Sequence, residues 1–199
     1  MYPITLPGRV VTLRDFRSSD AVAVLSVVGD DQVTRWLSFQ SRDAAGAAAM
    51  LEGAIERAQQ PVRTEFYLAA VLSDDTLVGF ARLGLDGVKA AKLGYAIHAG
   101  HWGHGYATDA ARTLTGFGFQ QLGLHRVSAA IGPDNTTSIR IAQRLGMSYE
   151  GRIRDHVHTN GAWRDSLLYS VLEHEWPPRS GPVRAWPHPG AGAATSTSA

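Results

Sequence analysis

The sequence predicts one α/β (α+β) domain, and three observations predict it. Strand-type and helix-type stretches follow one another as strand, two helices, three strands, helix, strand, helix, two strands. A turn rich in glycine, with Gly100, Gly103 and Gly105, joins an alternating stretch carrying Tyr95 and Ile97 to an alanine-rich stretch free of proline. Near the end, Asn160-Gly161 separates two long alternating runs, a strong short-range signal for a hairpin.

Each element has a local reason. Val10 to Leu13 is short and β-branched and reads as a first strand. Ser18, Ser19 and Asp20 offer an N-cap for the AVAVLSVV run, which favours a helix there; its valines leave a strand as the alternative. A very alanine-rich helix is expected from about Ala44 to Gln59, ended by Pro61. EFYLAAVL and LVGFARLG flank a turn at Ser73 to Thr76 and read as an antiparallel hairpin, followed by the strand AKLGYAIH. The helix after the glycine turn runs from about Ala107 to Leu122, with Gly123 a suitable C-cap, and HRVSAAI is the next strand. Pro133, Asp134 and Asn135 start the helix TTSIRIAQRL, which Gly146 closes. MSYEGRIRDHV and WRDSLLYSVLE are the last two strands. Residues 1–176 therefore form the expected domain. Residues 177–199, dominated by Pro, Gly, Ala and Ser, have almost nothing to bury and are expected to be a disordered tail.

Composition narrows the function. Nineteen basic against 18 acidic residues create no broad field for steering to nucleic acid or an anionic membrane, so neither is expected as a partner. The absence of cysteine excludes disulfides, thiolate metal sites and any acyl-cysteine intermediate. The first twenty residues lack the pattern of a signal peptide, and nowhere do eighteen apolar residues run together, so a cytoplasmic protein is expected.

The glycine turn is the candidate site. Glycines there let several backbone N–H groups crowd together ahead of a helix N-terminus, a geometry that binds phosphate. It is not a P-loop, because Tyr106 and Ala107 follow Gly105 where Lys and Ser or Thr are required. Nor is it a dinucleotide fingerprint, because Thr108 replaces the third glycine and no acid occurs between Ala110 and Pro133. His98, His101 and His104 recur every third residue, but the nearby carboxylate, Asp109, lies on a helix expected to point elsewhere, so no metal is expected.

Trp102, Gly103, His104, Gly105, Tyr106, Ala107 and Thr108 together resemble motif A of the GNAT superfamily of acyl-CoA-dependent N-acyltransferases, in the WGxGYAT form of its RimJ/RimL-type branch. A second resemblance covers Asn135 to Gly151, where Asn135, Arg144, Leu145, Gly146 and Met147 fit the family pattern. The family's tyrosine position is Ala142 here, and residue 138 is Ser rather than Ala. These two positions are four apart on one helix face, so the change moves a hydroxyl by about one turn, roughly 5.4 Å. Element order matches the family over nearly all of residues 7–176.

The resemblance implies the GNAT fold: a mixed, mostly antiparallel sheet of six to seven strands, splayed between the fourth and fifth and flanked by about four helices. It also implies acetyl-CoA as cosubstrate, with the amides from Trp102 to Thr108 on its pyrophosphate. The Tyr95–His98 and Arg126–Ile131 strands would splay, an N–H near Ile97 would face the thioester oxygen, and Asn135 would bond the cofactor arm or the strand edge. Ser138 would protonate the leaving sulfur; the alternative is that it bonds a carbonyl one turn back. Where family members often carry a basic-role Glu, this chain has Lys92, leaving Glu65, His98 or a water relay as general base. Asp30, Asp31 and Trp36 fall where the family closes its acceptor groove, although the two acids equally fit a helix-end turn. The expected activity is acetyl transfer by direct attack in a ternary complex. The acceptor is a protein N-terminal amine or a small-molecule amine, and the protein a monomer or homodimer. The alternative is a non-catalytic acyl-CoA-binding sensor or assembly module.

Overall fold

A computed structural model describes residues 2–176, so the tail at 177–199 lies outside the described residues. Its strands are β1 (Thr5–Pro7), β2 (Thr12–Asp15), β3 (Glu65–Val71), β4 (Leu77–Leu85), β5 (Ala90–Ile97), β6 (Arg126–Ile131), β7 (Ser148–Thr159) and β8 (Ala162–Leu172). The helices are α1 (Ala21–Val28), α2 (Asp31–Thr34), α3 (Ala44–Gln59), α4 (Tyr106–Leu122) and α5 (Thr136–Arg144). All eight strands join one sheet in the order β1-β2-β3-β4-β5-β6-β8-β7, antiparallel except for the β5–β6 pair.

The architecture is the mixed, mostly antiparallel α/β fold expected, with more strands than six or seven. The additional one is β1, a three-residue edge that pairs Thr5 with Arg14 and Pro7 with Thr12. So short a run ending in proline carries no period to read. The first expected strand also shifts from Val10–Leu13 to Thr12–Asp15, because the amides of Arg9, Val10 and Val11 turn onto the carboxylate of Asp109 instead of a neighbouring strand. AVAVLSVV is a helix, as its cap cluster favours, and it buries Val24, Val27 and Val28.

Two apolar layers sandwich the sheet. On one side α4 and α5 cover Leu13, Leu68, Leu83, Val127 and Val171; on the other α1 and α3 cover Tyr67, Ala69, Val71 and Phe80. Consecutive residues of β3 therefore serve opposite cores, which is why EFYLAAV reads as a continuous apolar run rather than an alternation. Each large aliphatic side chain so buried contributes about 1.5–3 kcal/mol. In α3 the buried residues are Ala47, Leu51, Ala54 and Ala58, one stripe at helical spacing, and Asp43 caps its start by accepting from the Gly46 amide at 2.8 Å.

One feature of the sheet prepares the site. β5 and β6 pair only from Ala90 to Lys92 with Arg126 to Ser128. Beyond these residues each strand stays with its outer neighbour: β5 follows β4 to the Gly79–Ile97 pair, and β6 follows β8 to the Ile131–Leu167 pair. The sheet opens between them.

Candidate active site

A cavity of about 410 Å³ occupies the opening. Its walls are Tyr95, Ala96 and Ile97 of β5, the loop residues His101, Trp102, Gly103 and Gly105, the first turn of α4, the Asp134–Ser138 end of α5 with Arg140, Ile141 and Arg144, and Val33, Arg35, Trp36 and Leu37 at the end of α2 and just after it.

Loop and helix head form an open cluster of amides. Gly103 and Gly105 have φ of +85° and +79°, the left-handed region that disfavours a side chain, and a Cβ at either would meet nothing within 4 Å. Gly105 is the N-cap of α4, and no side chain caps that helix. The first-turn amides of a 17-residue helix are thus left facing the cavity, where the helix dipole also favours an anion. Trp102 ties the loop down: its indole Nε1 donates to the carbonyl of Ile97 at 2.7 Å. His104 packs its ring against Tyr106, with centroids 5.3 Å apart, and does not line the cavity.

Strand register sets the direction of the Ile97 amide. His98 donates to the Val78 carbonyl at 2.9 Å, and Gly79 lies opposite Ile97. Bonded and non-bonded pairs alternate in an antiparallel ladder, so the N–H and C=O of Ile97 turn away from β4 into the opening. The Trp102 bond to that carbonyl agrees.

On the facing wall, Asn135 caps α5, its Oδ1 accepting from the Ser138 amide at 3.1 Å. Ser138 and Tyr95 line the cavity from opposite walls. Burial pushes the Tyr95 phenol up to about 12, against a smaller opposing influence of the neighbouring Ser138. Sequence reasoning placed Tyr95 on the strand but gave it no role. The signal was there, since Tyr95 shares the face of Ile97, which packs into the core beneath α4 and α5.

Other expected residues lie elsewhere. Glu65 is held between Arg57, at 2.7 Å, and Arg82. Register sets it level with Gly84 and Lys92, five residues along β5 from Ile97, or roughly 17 Å at strand rise. It does not line the cavity, and the expectation of Glu65 as base is withdrawn on that distance. His98 uses its Nδ1 to accept from the Gly100 amide at 3.1 Å and caps a short turn. Asp30 caps α2 by accepting from Gln32 at 2.8 Å, and Asp31 accepts from the Ser41 hydroxyl. Both acids are therefore the helix-end turn, not groove lining, whereas Trp36 does line the cavity, with Arg35 stacked over its ring at 4.8 Å. Lys92 pairs with Asp86 at 3.0 Å on the surface.

Two structural partners were invisible in sequence. Asp109, in the first turn of α4, points back to accept from Arg9, Val10 and Val11 at 2.8–3.0 Å. Arg164 of β8 donates to the carbonyls of Arg35 at 2.8 Å and Leu37 at 3.0 Å, fixing the wall that carries Trp36, and burial lowers its pKa. Among the described residues no three His, Asp or Glu converge as a metal site, and no helix is long and apolar enough to cross a membrane.

The site is therefore a splayed sheet beside an uncapped, glycine-headed helix. Residues 11–148 match the family model described as an acetyltransferase (GNAT) domain. YdaF of Bacillus subtilis, provisionally described as a ribosomal N-acetyltransferase, is 31% identical over 171 residues, 83% of this chain and 93% of that protein. The N-acetyltransferase p20 of Bacillus licheniformis, itself uncharacterized, is 27% identical over 175 residues, 86% of this chain and 98% of its own. Among solved structures, RimJ of Mycobacterium smegmatis, in complex with CoA-disulfide, superposes with a TM-score of 0.79 at 26% identity, covering 89% of this chain and 91% of that one. The chain belongs to the GNAT acetyltransferase family, and these relatives bear out its resemblance to the RimJ/RimL-type branch. It is an acetyl-CoA-dependent N-acetyltransferase.

Proposed function

We propose that the protein transfers the acetyl group of acetyl-CoA to a protein N-terminal amine by direct attack. The observation that carries the reading is the open amide cluster at the head of α4, beside a cavity that reaches through the sheet to Ser138. The cradle fits a diphosphate: a Cβ at Gly103 or Gly105 would project into open space, and the adjoining amides have no side-chain cap. The amides from Gly103 to Thr108 hold the diphosphate, and the Ile97 N–H stabilises charge growing on the thioester oxygen. Acetyl-CoA supplies the activated carbonyl and the thiol leaving group. Ser138 donates its hydroxyl proton to the departing sulfur, while Trp36 and Leu37 wall the acceptor side.

Charge in the cavity favours an α-amine over a polyamine. Arg35, Arg140 and Arg144 line it against one acid, Asp134, which repels a polycation. An N-terminal amine, with a pKa near about 8, is partly neutral at physiological pH and needs little help from a base, unlike a lysine at about 10.4. The description of YdaF as a ribosomal N-acetyltransferase points the same way. Small-molecule amines remain the second acceptor class.

Coenzyme A release from acetyl-CoA, measured against N-terminal peptides and small amines, tests the reading. Release with peptides supports it; tight CoA binding with silence across the whole panel favours a non-catalytic binding module instead. Ser138→Ala is expected to lower kcat by about 10- to 100-fold with the KM for acetyl-CoA within about twofold, the mark of a group acting after binding.

A further inference from the structure

The cavity carries cations that the chain itself does not answer. Arg35, Arg140 and Arg144 line it, and none of the three forms an ion pair among the described residues. Elsewhere the chain supplies the partner: Arg14, Arg57, Arg63 and Arg152 each meet a carboxylate at 2.5–2.8 Å. Helix spacing offers Arg35 a partner of this kind in Asp31, one turn back, but that carboxylate accepts from the Ser41 hydroxyl instead. The guanidinium of Arg35 lies over the ring of Trp36, 4.8 Å from its centroid.

These cations belong to two different walls. Arg140 and Arg144 are on α5, whose last turn is tied to α4 by Arg112 Nη2, which donates to the Arg144 carbonyl at 2.6 Å, so they stand on the side of the open helix head. Arg35 stands on the α2 side with Trp36 and Leu37, and its backbone is fixed there by Arg164, which donates to the carbonyls of Arg35 at 2.8 Å and Leu37 at 3.0 Å. The partners of Arg164 are carbonyls, so its own positive charge adds to that wall. The phosphates of acetyl-CoA gather at the helix head, and the arm leading from them to the thioester is uncharged. The cofactor therefore leaves Arg35 unanswered, and the acceptor is the remaining molecule that can answer it.

Resting on the acetyl-transfer reading above, we propose that Arg35 is a specificity-determining residue and that the acceptor is an acidic peptide: a protein N-terminus with Asp or Glu in the residues that follow its amine. The amine enters toward the thioester, and a carboxylate behind it meets Arg35 at the Trp36 wall. Stacking uses the face of a guanidinium and leaves the N–H donors at its edge free, the geometry that holds a carboxylate by two parallel hydrogen bonds. Because Arg164 already pins the backbone of Arg35, little order is lost when the carboxylate docks. A lysine or arginine in the same place on the peptide is repelled.

The test is thiol release by the full chain with peptides of equal length that begin with Ala and continue with Glu, Gln or Lys. Wild type is expected to favour the Glu peptide over the Gln peptide by about fivefold in kcat/KM, the scale of one partly exposed ion pair, and over the Lys peptide by more. Added salt should shrink that preference, since both charges stay in reach of solvent. Arg35→Gln should level the Glu and Gln peptides, and Arg35→Glu should reverse the order so that the Lys peptide becomes the best acceptor. In both variants the KM for acetyl-CoA should stay within about twofold, because the cofactor does not use this side chain. Arg35 is exposed, and an unchanged melting temperature verifies the fold of each variant. Equal rates with the three peptides, or a Glu preference that survives Arg35→Glu, would overturn the assignment and leave the transferase reading standing. Thiol release with small amines but with none of the peptides would overturn both the acidic acceptor and the N-terminal one.

Discussion

Arg9 to Val11 and Gly103 to Thr108 are both places where successive backbone amides converge on a point fit for an anion, and they are completed in opposite ways. At the first, the chain supplies the anion itself: the Asp109 carboxylate accepts three amides at 2.8–3.0 Å. At the second, no side chain answers, and the amides open onto the cavity. The two are linked by one residue. An acid in the first turn of a helix would ordinarily neutralise that helix's own head, but the carboxylate of Asp109 is engaged by the Arg9–Val11 turn. The same side chain thus anchors α4 and leaves its head free. A filled nest serves stability and an open one serves binding, although the backbone chemistry is the same.

The sharpest way to break this contrast is to put side-chain atoms into the open nest. Gly105→Val is expected to weaken acetyl-CoA binding by about 100-fold or more, measured by calorimetry. The β-branched side chain both occupies the anion position and strains a φ of +79°. Unfolding in the absence of ligand should change far less than the affinity does. Full affinity in this variant would move the diphosphate elsewhere.

The converse variant empties the filled nest. Asp109→Ala strands three amides at a partly buried turn and is expected to cost about 3 kcal/mol, at roughly 1 kcal/mol for each unsatisfied group. Thermal denaturation should therefore fall by about 6–12 °C for a domain of this size. Acetyl-CoA affinity, measured well below the transition, should stay within a few-fold of wild type. A large loss of affinity with intact stability would show that the nests had been assigned the wrong way round.

The smallest effects come from single methyl groups. At Gly8 a Cβ would run into Asp109 Oδ2 and the Val11 carbonyl, the latter at 2.5 Å, whereas at Gly103 it would meet nothing. Gly8→Ala should destabilise the fold by about 1–3 kcal/mol without altering binding at low temperature. Gly103→Ala should cost only about 1 kcal/mol of backbone strain and express itself mainly in affinity. Chemical denaturation paired with calorimetry separates the two.

Much of this molecule is legible along the chain. The alanine stripe of α3, the capped starts of α3 and α5, the two-sided apolar run of β3 and the Asn160-Gly161 turn each state their structure within a dozen residues. The glycine loop is equally local, because φ near +80° is a property of single residues. Glu65 reads as a reasonable base only until register carries it along the sheet to Arg57 and Arg82. Asp30 and Asp31 read equally as groove acids or as a helix-end turn, and their amide and hydroxyl partners decide for the turn.

By itself, then, the sequence determined which residues lie in strands and helices and where backbone amides could be left bare, because periodicity, capping and glycine conformation are settled among near neighbours. Only the tertiary structure decided which carboxylate turned into scaffold and which arginine pinned the Trp36 wall. Those pairings join positions as far apart as Arg9 and Asp109, or Arg35 and Arg164. A hydrogen bond depends on distance and direction in space, and separation along the chain carries no trace of either until the sheet has been assembled.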